Sequence, residues 1–476
     1  MLLSKRSPAA KASITAALCL LAGAIVIALL SGSATAAPTT PNVLIIVTDD
    51  QPINTLKVMP RTRRRFRAEG TQFPNTIDAY PLCCPSRASI FSGRYAHNHG
   101  VSTNDNGTNL NQDQTIQRYL RDAGYKTGYF GKFLNAWDLD TNPQHWDSWT
   151  ILNNGPHSSM SPTTPTICEP EPAEVCVNED GTKKPMTPGV YETSYLATEA
   201  STFVDSTEAN DNQPWLMYVA PTTPHAPFTP EAKYASAPIP DFQATPNYFE
   251  ADRSDKPQYV QDDIEDPAAV QSHRAAQLRM LMSTDDLVEQ VFQKLDAANE
   301  TRDTLAVFIS DNGYLWGEHG LEAKPYPYSA GIKTPMLMRW PGHVAARASD
   351  PRLAANVDIA PSAMQVAGLT PSTPMDGRSL LQPSTRTRWL AERSGRNNGP
   401  PLWASTRTSS IQYTEYYDDI TGQIFDREYY DLSSDPWQLT NLLKDGNSGN
   451  DPAPAELNAL SAQLAADKVC SGSSCP

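Results

Sequence analysis

Positive charge is scarce in this chain: 38 lysines and arginines face 53 aspartates and glutamates, a formal net charge of −15. Three of the cations, Lys5, Arg6 and Lys11, lie in the first 36 residues without an acid beside them, so the remainder stands at −18. A field of that sign excludes non-specific nucleic-acid binding. It also disfavours long polysulfated chains as partners unless a local basic pocket overrides it. Internal repeats are absent, which excludes a solenoid. The apolar run from Ile14 to Leu30 is near the lower limit for crossing a bilayer. With the small-residue site Ala34-Thr35-Ala36 behind it, residues 1–36 read as a secretory signal peptide, an uncleaved anchor being the alternative. No lipoprotein cysteine follows, and the paired arginines of a twin-arginine signal are missing. The expectation is a secreted protein with no stable membrane association after cleavage.

Cysteines are few. Cys19 sits in the leader, and Cys168/Cys176 and Cys470/Cys475 form two close pairs, which a secreted chain would oxidise to disulfides. Zinc is disfavoured, because neither pair has the two-residue spacing or neighbouring histidines of a zinc module. That leaves Cys83 and Cys84, the latter expected to be a buried free thiol.

About 440 residues remain after the leader, enough for a large domain and a smaller one. Short apolar runs at Val43–Val47, Trp215–Ala220, Leu305–Ile309 and Pro335–Arg339 alternate with helical segments such as Asp113–Ala123 and Ala275–Leu295. In the latter, Leu287, Val288, Val291, Phe292 and Leu295 fall at helical spacing and read as core. The pattern predicts an α/β fold: a large, mainly parallel mixed sheet flanked by helices, with ligands bound beyond the carboxyl ends of its strands. Residues 142–188 and 237–267 are irregular in composition and are expected to wrap that face. A composition change near 384–401 suggests a linker, hence a catalytic domain over 37–390. A C-terminal subdomain over 391–476 would carry strands at Ile411–Tyr417 and Gln423–Leu432 and a closing helix at Glu456–Lys468.

Asp49 and Asp50 end one predicted strand, and Asp311 and Asn312 end another. Either pair alone reads as a solvated turn or helix cap. Together they offer three carboxylates and an amide oxygen, hard ligands suited to Ca²⁺ or Mg²⁺. Between them in sequence lies Pro81-Leu-Cys-Cys-Pro-Ser-Arg-Ala-Ser-Ile-Phe-Ser-Gly93, containing Cys83-x-Pro-Ser-Arg87. A buried structural thiol is the plain reading of such a pair. A helix beginning after Pro85 would put Cys83 at its positive end, where an anion is favoured.

These motifs resemble the type I sulfatases of the alkaline phosphatase superfamily, and are closest to the glucosamine 6-sulfatase and arylsulfatase branch. The resemblance implies that a formylglycine-generating enzyme oxidises Cys83 to formylglycine. The hydrated aldehyde presents two hydroxyls: one attacks sulfur, and the other loses its proton so that the sulfated intermediate collapses. It implies Ca²⁺, with Mg²⁺ second, held by Asp49, Asp50, Asp311, Asn312 and the oxygen of residue 83. Arg87 would hold the formylglycine and its loop. Gly124-Tyr-Lys-Thr-Gly-Tyr-Phe-Gly-Lys132-Phe-Leu-Asn135 resembles the second family signature and gives Lys132 a sulfate oxygen. The histidine usual two positions later is missing, and Asn135 is the candidate substrate contact in its place. His225, in Pro224-His225-Ala226-Pro227, would touch sulfate or protonate the leaving alcohol. Lys324 would lie near the bridging ester oxygen as general acid or electrostatic partner, and His319 would fix its loop. His99 is a second candidate substrate contact, with hydrogen bonding in a turn as the alternative. The expected activity is hydrolysis of a sulfate monoester on a sulfated sugar or aryl sulfate. A phosphonate or phosphodiester hydrolase with the same nucleophile is the nearest alternative, and a non-catalytic glycan-binding homologue the more remote one.

Overall fold

The computed structural model describes residues 40–152, 167–168, 171–172, 176–186, 189–209, 213–395 and 399–476. The expected signal peptide and part of 142–188 lie outside them.

Strand β1 (Asn42–Thr48) is buried along its whole length. An uninterrupted run of valine, leucine and isoleucine suits a central strand covered on both faces. It pairs in parallel with β3 (Trp215–Ala220) on one side and β4 (Thr304–Ser310) on the other. Beyond β3 lies β2 (Lys126–Lys132), again parallel. In the ten-stranded sheet these four run in the order β4-β1-β3-β2, with Ser148–Leu152 next and antiparallel strands toward both edges. The mixed, mainly parallel sheet is the architecture expected.

Alternate side chains of β1 enter opposite cores, as the two-residue period of a strand requires. Val43, Ile45 and Val47 pack with Ile90 and Phe91 of helix α1 (Cys83–Ser92). Leu44 and Ile46 pack with Leu196 of α2 (Glu192–Glu208) and with Leu287, Val288, Val291, Phe292 and Leu295 of α3 (Pro267–Ala298). Helix α3 opens at Asp266, whose side chain accepts from the Ala268 N–H at 3.0 Å, with Pro267 in its first turn. Helices thus cover both faces of the sheet.

A second, antiparallel sheet joins Trp389–Arg393, Leu402–Arg407, Ile411–Tyr417 and Ile424–Asp431, and the helix Pro454–Asp467 follows. The stretch read as a linker therefore contains a strand, which straddles the proposed 390/391 boundary. Trp389 and Leu390 are buried in the core of this smaller sheet, a tertiary role that the surrounding Ser, Thr and Arg residues conceal. Cys470 and Cys475 are disulfide-bonded, and Cys83 and Cys84 are free and buried. Cys176 is also in a disulfide; the side chain of its expected partner, Cys168, is outside the described residues.

Candidate active site

Four neighbouring strands deliver their carboxyl ends to one place. Thr48 of β1 lies opposite Ser310 of β4, so Asp49 and Asp50 emerge beside Asp311 and Asn312. Ala220 of β3 lies opposite Gly131 of β2, which sets Lys132 at the same edge. Glycine is required at 131: its φ is +128°, and a Cβ there would stand 2.0 Å from the Ala220 carbonyl oxygen. The turn after β3 carries His225, and α1 begins at Cys83.

The side chains converge. One ligand atom each from Asp49, Asp50, Cys83 and Asp311 lies within 4.8 Å of the others, all buried. Cys83 Sγ is 3.5 Å from Asp49 Oδ1 and 2.7 Å from Lys324 Nζ. Lys324 also pairs with Asp50, and Lys132 with Asp49. Arg87 donates from Nε to Asp311 Oδ2 at 2.9 Å and from a terminal nitrogen to the Lys132 carbonyl at 2.6 Å. Asn312 donates to Asp50 Oδ1 at 2.6 Å, while its own buried Oδ1 has no hydrogen-bond partner among the described residues. His225 Nε2 stands 3.7 Å from Asp50 Oδ2, and Nδ1 donates to the Ala226 carbonyl at 2.6 Å.

Electrostatics follow from this crowding. Burial alone would raise the Asp49 carboxyl, but Lys132, His225, Arg87 and Lys324 outweigh it and hold the group well below the usual range. The Cys83 thiol moves the other way. Burial, then the Asp49 carboxylate, push it up to about 12, the opposite of an activated thiolate.

Two substrate-contact expectations fare differently. Asn135 is half-buried beside the first turn of α1, its backbone N–H directed at the Cys84 sulfur, and its side-chain Oδ1 is buried without a hydrogen-bond partner among the described residues. His99 is a correction. It is only 6% exposed, Nδ1 accepts from the Val101 N–H at 3.1 Å, and Nε2 meets Ser89 Oγ at 3.0 Å. Burial pulls it down to about 3. Both ring nitrogens are committed, Nε2 to α1 and Nδ1 to the turn at Val101, so nothing is left for a substrate. His319 is fully buried against Glu250 at 2.9 Å, a loop-fixing position as expected.

Sequence reasoning missed Glu192. This first residue of α2 is 2% exposed, and its carboxylate accepts from the Thr222 N–H at 3.0 Å and the Thr222 hydroxyl at 2.5 Å. It thereby anchors the turn that ends in His225. An acid opening a helix reads as a dipole partner, so the sequence carries no other signal. Burial pushes the Glu192 carboxyl up to about 8. The folded state then keeps a proton that the unfolded chain loses near 4.5, so stability falls as pH rises between those values. Glu192→Gln copies the protonated form and removes that dependence. Relative to the parent, its melting temperature should rise from pH 5 to pH 9, by the equivalent of a few kcal/mol; a difference that does not change with pH would refute the assignment.

A family model described as Sulfatase matches residues 41–369. This chain belongs to the sulfatase family. A model of the C-terminal part of N-sulphoglucosamine sulphohydrolase matches residues 317–458. The chain is 30% identical over 400 residues to the extracellular sulfatase SULF-1 homolog of Drosophila melanogaster, covering 77% of this chain but only 34% of that protein. It therefore spans about a third of that relative's length. With the N-acetylglucosamine-6-sulfatase of Homo sapiens it shares 27% identity over 495 residues, 91% of this chain and 86% of that one. The fold matches a structure solved with its substrate D-glucosamine-2-N,6-O-disulfate at a TM-score of 0.73 and 21% identity, over 90% of this chain and 97% of that one.

Proposed function

We propose that this sulfatase-family chain is a secreted hydrolase of sulfate monoesters on a sulfated amino sugar, working through formylglycine at residue 83 and a divalent cation, Ca²⁺ ahead of Mg²⁺. The observation that carries this reading is the meeting of Cys83 with Asp49, Asp50 and Asp311 within 4.8 Å, under Lys132 and Lys324.

The donor set suits such a cation. Three carboxylates and the orphaned Asn312 Oδ1 are hard oxygens, and they outnumber the one imidazole within reach, that of His225. Charge agrees as well. Asp49, Asp50 and Asp311 are balanced by Arg87, Lys132 and Lys324. Adding a doubly charged ion would leave room for a monoanionic ester and one ionised oxygen. The ion would polarise the sulfate and favour an ionised nucleophile, and hydrated formylglycine would supply the two hydroxyls on one carbon that a cysteine lacks.

The remaining roles belong to the chain's own groups. Arg87 ties the first turn of α1 to β2 and β4, which fixes residue 83 at the helix's positive end. Lys132 and Lys324 present ammonium groups on either side of Asp49 and would take the sulfate oxygens and the bridging oxygen. His225 stands at the mouth, its side chain 34% exposed. With Nδ1 donating to a carbonyl, Nε2 is the nitrogen turned toward Asp50 and would be the donor to the leaving alcohol. Asn135 Oδ1 is the candidate contact to the sugar.

The human and fly relatives' names support a 6-sulfated glucosamine and an extracellular site of action, as does the expected leader. Among the described residues, no helix is long and apolar enough to cross a membrane. Maturation would require a formylglycine-generating enzyme as partner. The test is a sulfate-release screen of matured protein with Ca²⁺ over sulfated monosaccharides, aryl sulfate, aryl phosphate and a phosphodiester. Release from 6-sulfated glucosamine and from aryl sulfate is expected. Faster turnover of the phosphodiester than of any sulfate ester would overturn the assignment.

A further inference from the structure

A cleft of about 810 Å³ separates the large sheet's edge loops from the C-terminal sheet. Its wall runs on from both acid pairs of the active site, through Pro52 and Ile53 after Asp50 and through Tyr314 after Asn312. Its lining is cationic: Lys57, Arg63, Arg67, Arg274, Lys333 and Arg407 stand against a single acid, Glu318. That acid is engaged, because its Oε2 accepts from the Trp316 N–H at 2.5 Å.

Among the described residues, none of the six cations has a carboxylate within ion-pair distance. The contrast is sharpest on the helix Pro60–Arg67. Arg61, Arg64 and Arg65 are neutralised by Asp286, Glu289 and Asp296 of α3, whereas Arg63 and Arg67 face the cleft unpaired. These two also line an adjoining hollow with Arg64 and Arg347, so the positive surface continues. Deeper in, Arg407 is only 8% exposed, and among the described residues its guanidinium hydrogen-bonds to Ser329 and Gln412. Burial, then Arg407, pull the Lys333 ammonium down to about 8, and burial pulls Arg407 to about 10. Two like charges held in a wall without a counter-charge are costly, and a bound anion relieves that cost. Clusters of guanidinium and ammonium donors match tetrahedral oxyanions. Trp437, 41% exposed, offers a face on which a sugar ring can rest.

We propose that this cleft is an anion-binding exosite, distinct from the Cys83 centre, that holds further sulfate groups of a polysulfated glycan. The identity of the anion rests on the function proposed above; the existence of the site does not. It supplies the local basic pocket without which a chain of net charge −15 should repel such a polymer.

The experiment uses the full chain carrying Cys83→Ala, so that binding is read without turnover. Calorimetric titration with a heparin dodecasaccharide should show saturable, salt-sensitive binding. Arg63→Ala/Arg67→Ala on the exposed helix face, and Lys333→Met in the wall, should each weaken it about tenfold or more. In the Cys83 background the same variants should hydrolyse a small aryl sulfate at the parental rate. The exosite is overturned if the polymer does not bind or if both variants bind it as the parent does. Equal affinity for a single-stranded DNA of matched charge would overturn its assignment to sulfated glycans. Intact polymer binding in a protein that releases no sulfate from any ester would sink the proposed activity alone.

Discussion

A Cys83→Ala enzyme should lose sulfate ester turnover by about 10⁴-fold or more, the scale on which enzymes fail when their nucleophile is deleted. The argument is geometric. Residue 83 opens α1, touches Lys324 and Asp49, and is 1% exposed, so no other side chain can take its place. Folding should barely notice, because truncation removes one buried sulfur; the melting temperature is expected within a few degrees of the parent. Cys83→Ser sharpens the test. Serine has one hydroxyl where the proposed hydrate has two, so it should release at most one equivalent of alcohol and then remain sulfated. Repeated turnover by the alanine variant would end the formylglycine mechanism.

Asp311→Asn should abolish stoichiometric Ca²⁺ and lower turnover by about 10²–10³-fold, the range typical for loss of one preorganised charge at a reacting centre. Asparagine keeps the shape and one oxygen, so the contact with Arg87 weakens without leaving a cavity. Alanine would be a poorer choice: Arg87 is fully buried, and removing its partner outright would cost about 3–5 kcal/mol and confuse folding with chemistry. Metal content by mass spectrometry, read beside a thermal melt, separates the two. Full Ca²⁺ occupancy in the asparagine variant would remove Asp311 from the ligand set.

Both acid pairs were legible in the sequence because a buried parallel strand announces its own end, and its carboxyl end is where ligands gather. Lys132, His225 and Lys324 were legible only through resemblance, since a lone lysine or histidine in a loop has no periodicity. Glu192 stayed hidden for a related reason: its partner, Thr222, is thirty residues away and on another element. His99 shows the converse error. Nearness to the nucleophile motif in sequence suggested a pocket residue, but ring nitrogens are assigned by hydrogen bonds, and here both serve the protein. Lys333 and Arg407 were invisible as a pair, because no local pattern reveals that two distant cations share one wall with no carboxylate in ion-pair reach among the described residues. The strand Trp389–Arg393 was obscured by the polar composition around it, which outweighed a short apolar core.

Lys132 and Lys324 already lie against the carboxylates that the cation would claim. A cation held there would share those carboxylates with the two ammonium groups. An incoming ester brings the oxygens that can receive them. Ion and ester should therefore bind with positive synergy, each tightening the other by the same factor, and the resting enzyme should hold its ion more loosely than the enzyme at work.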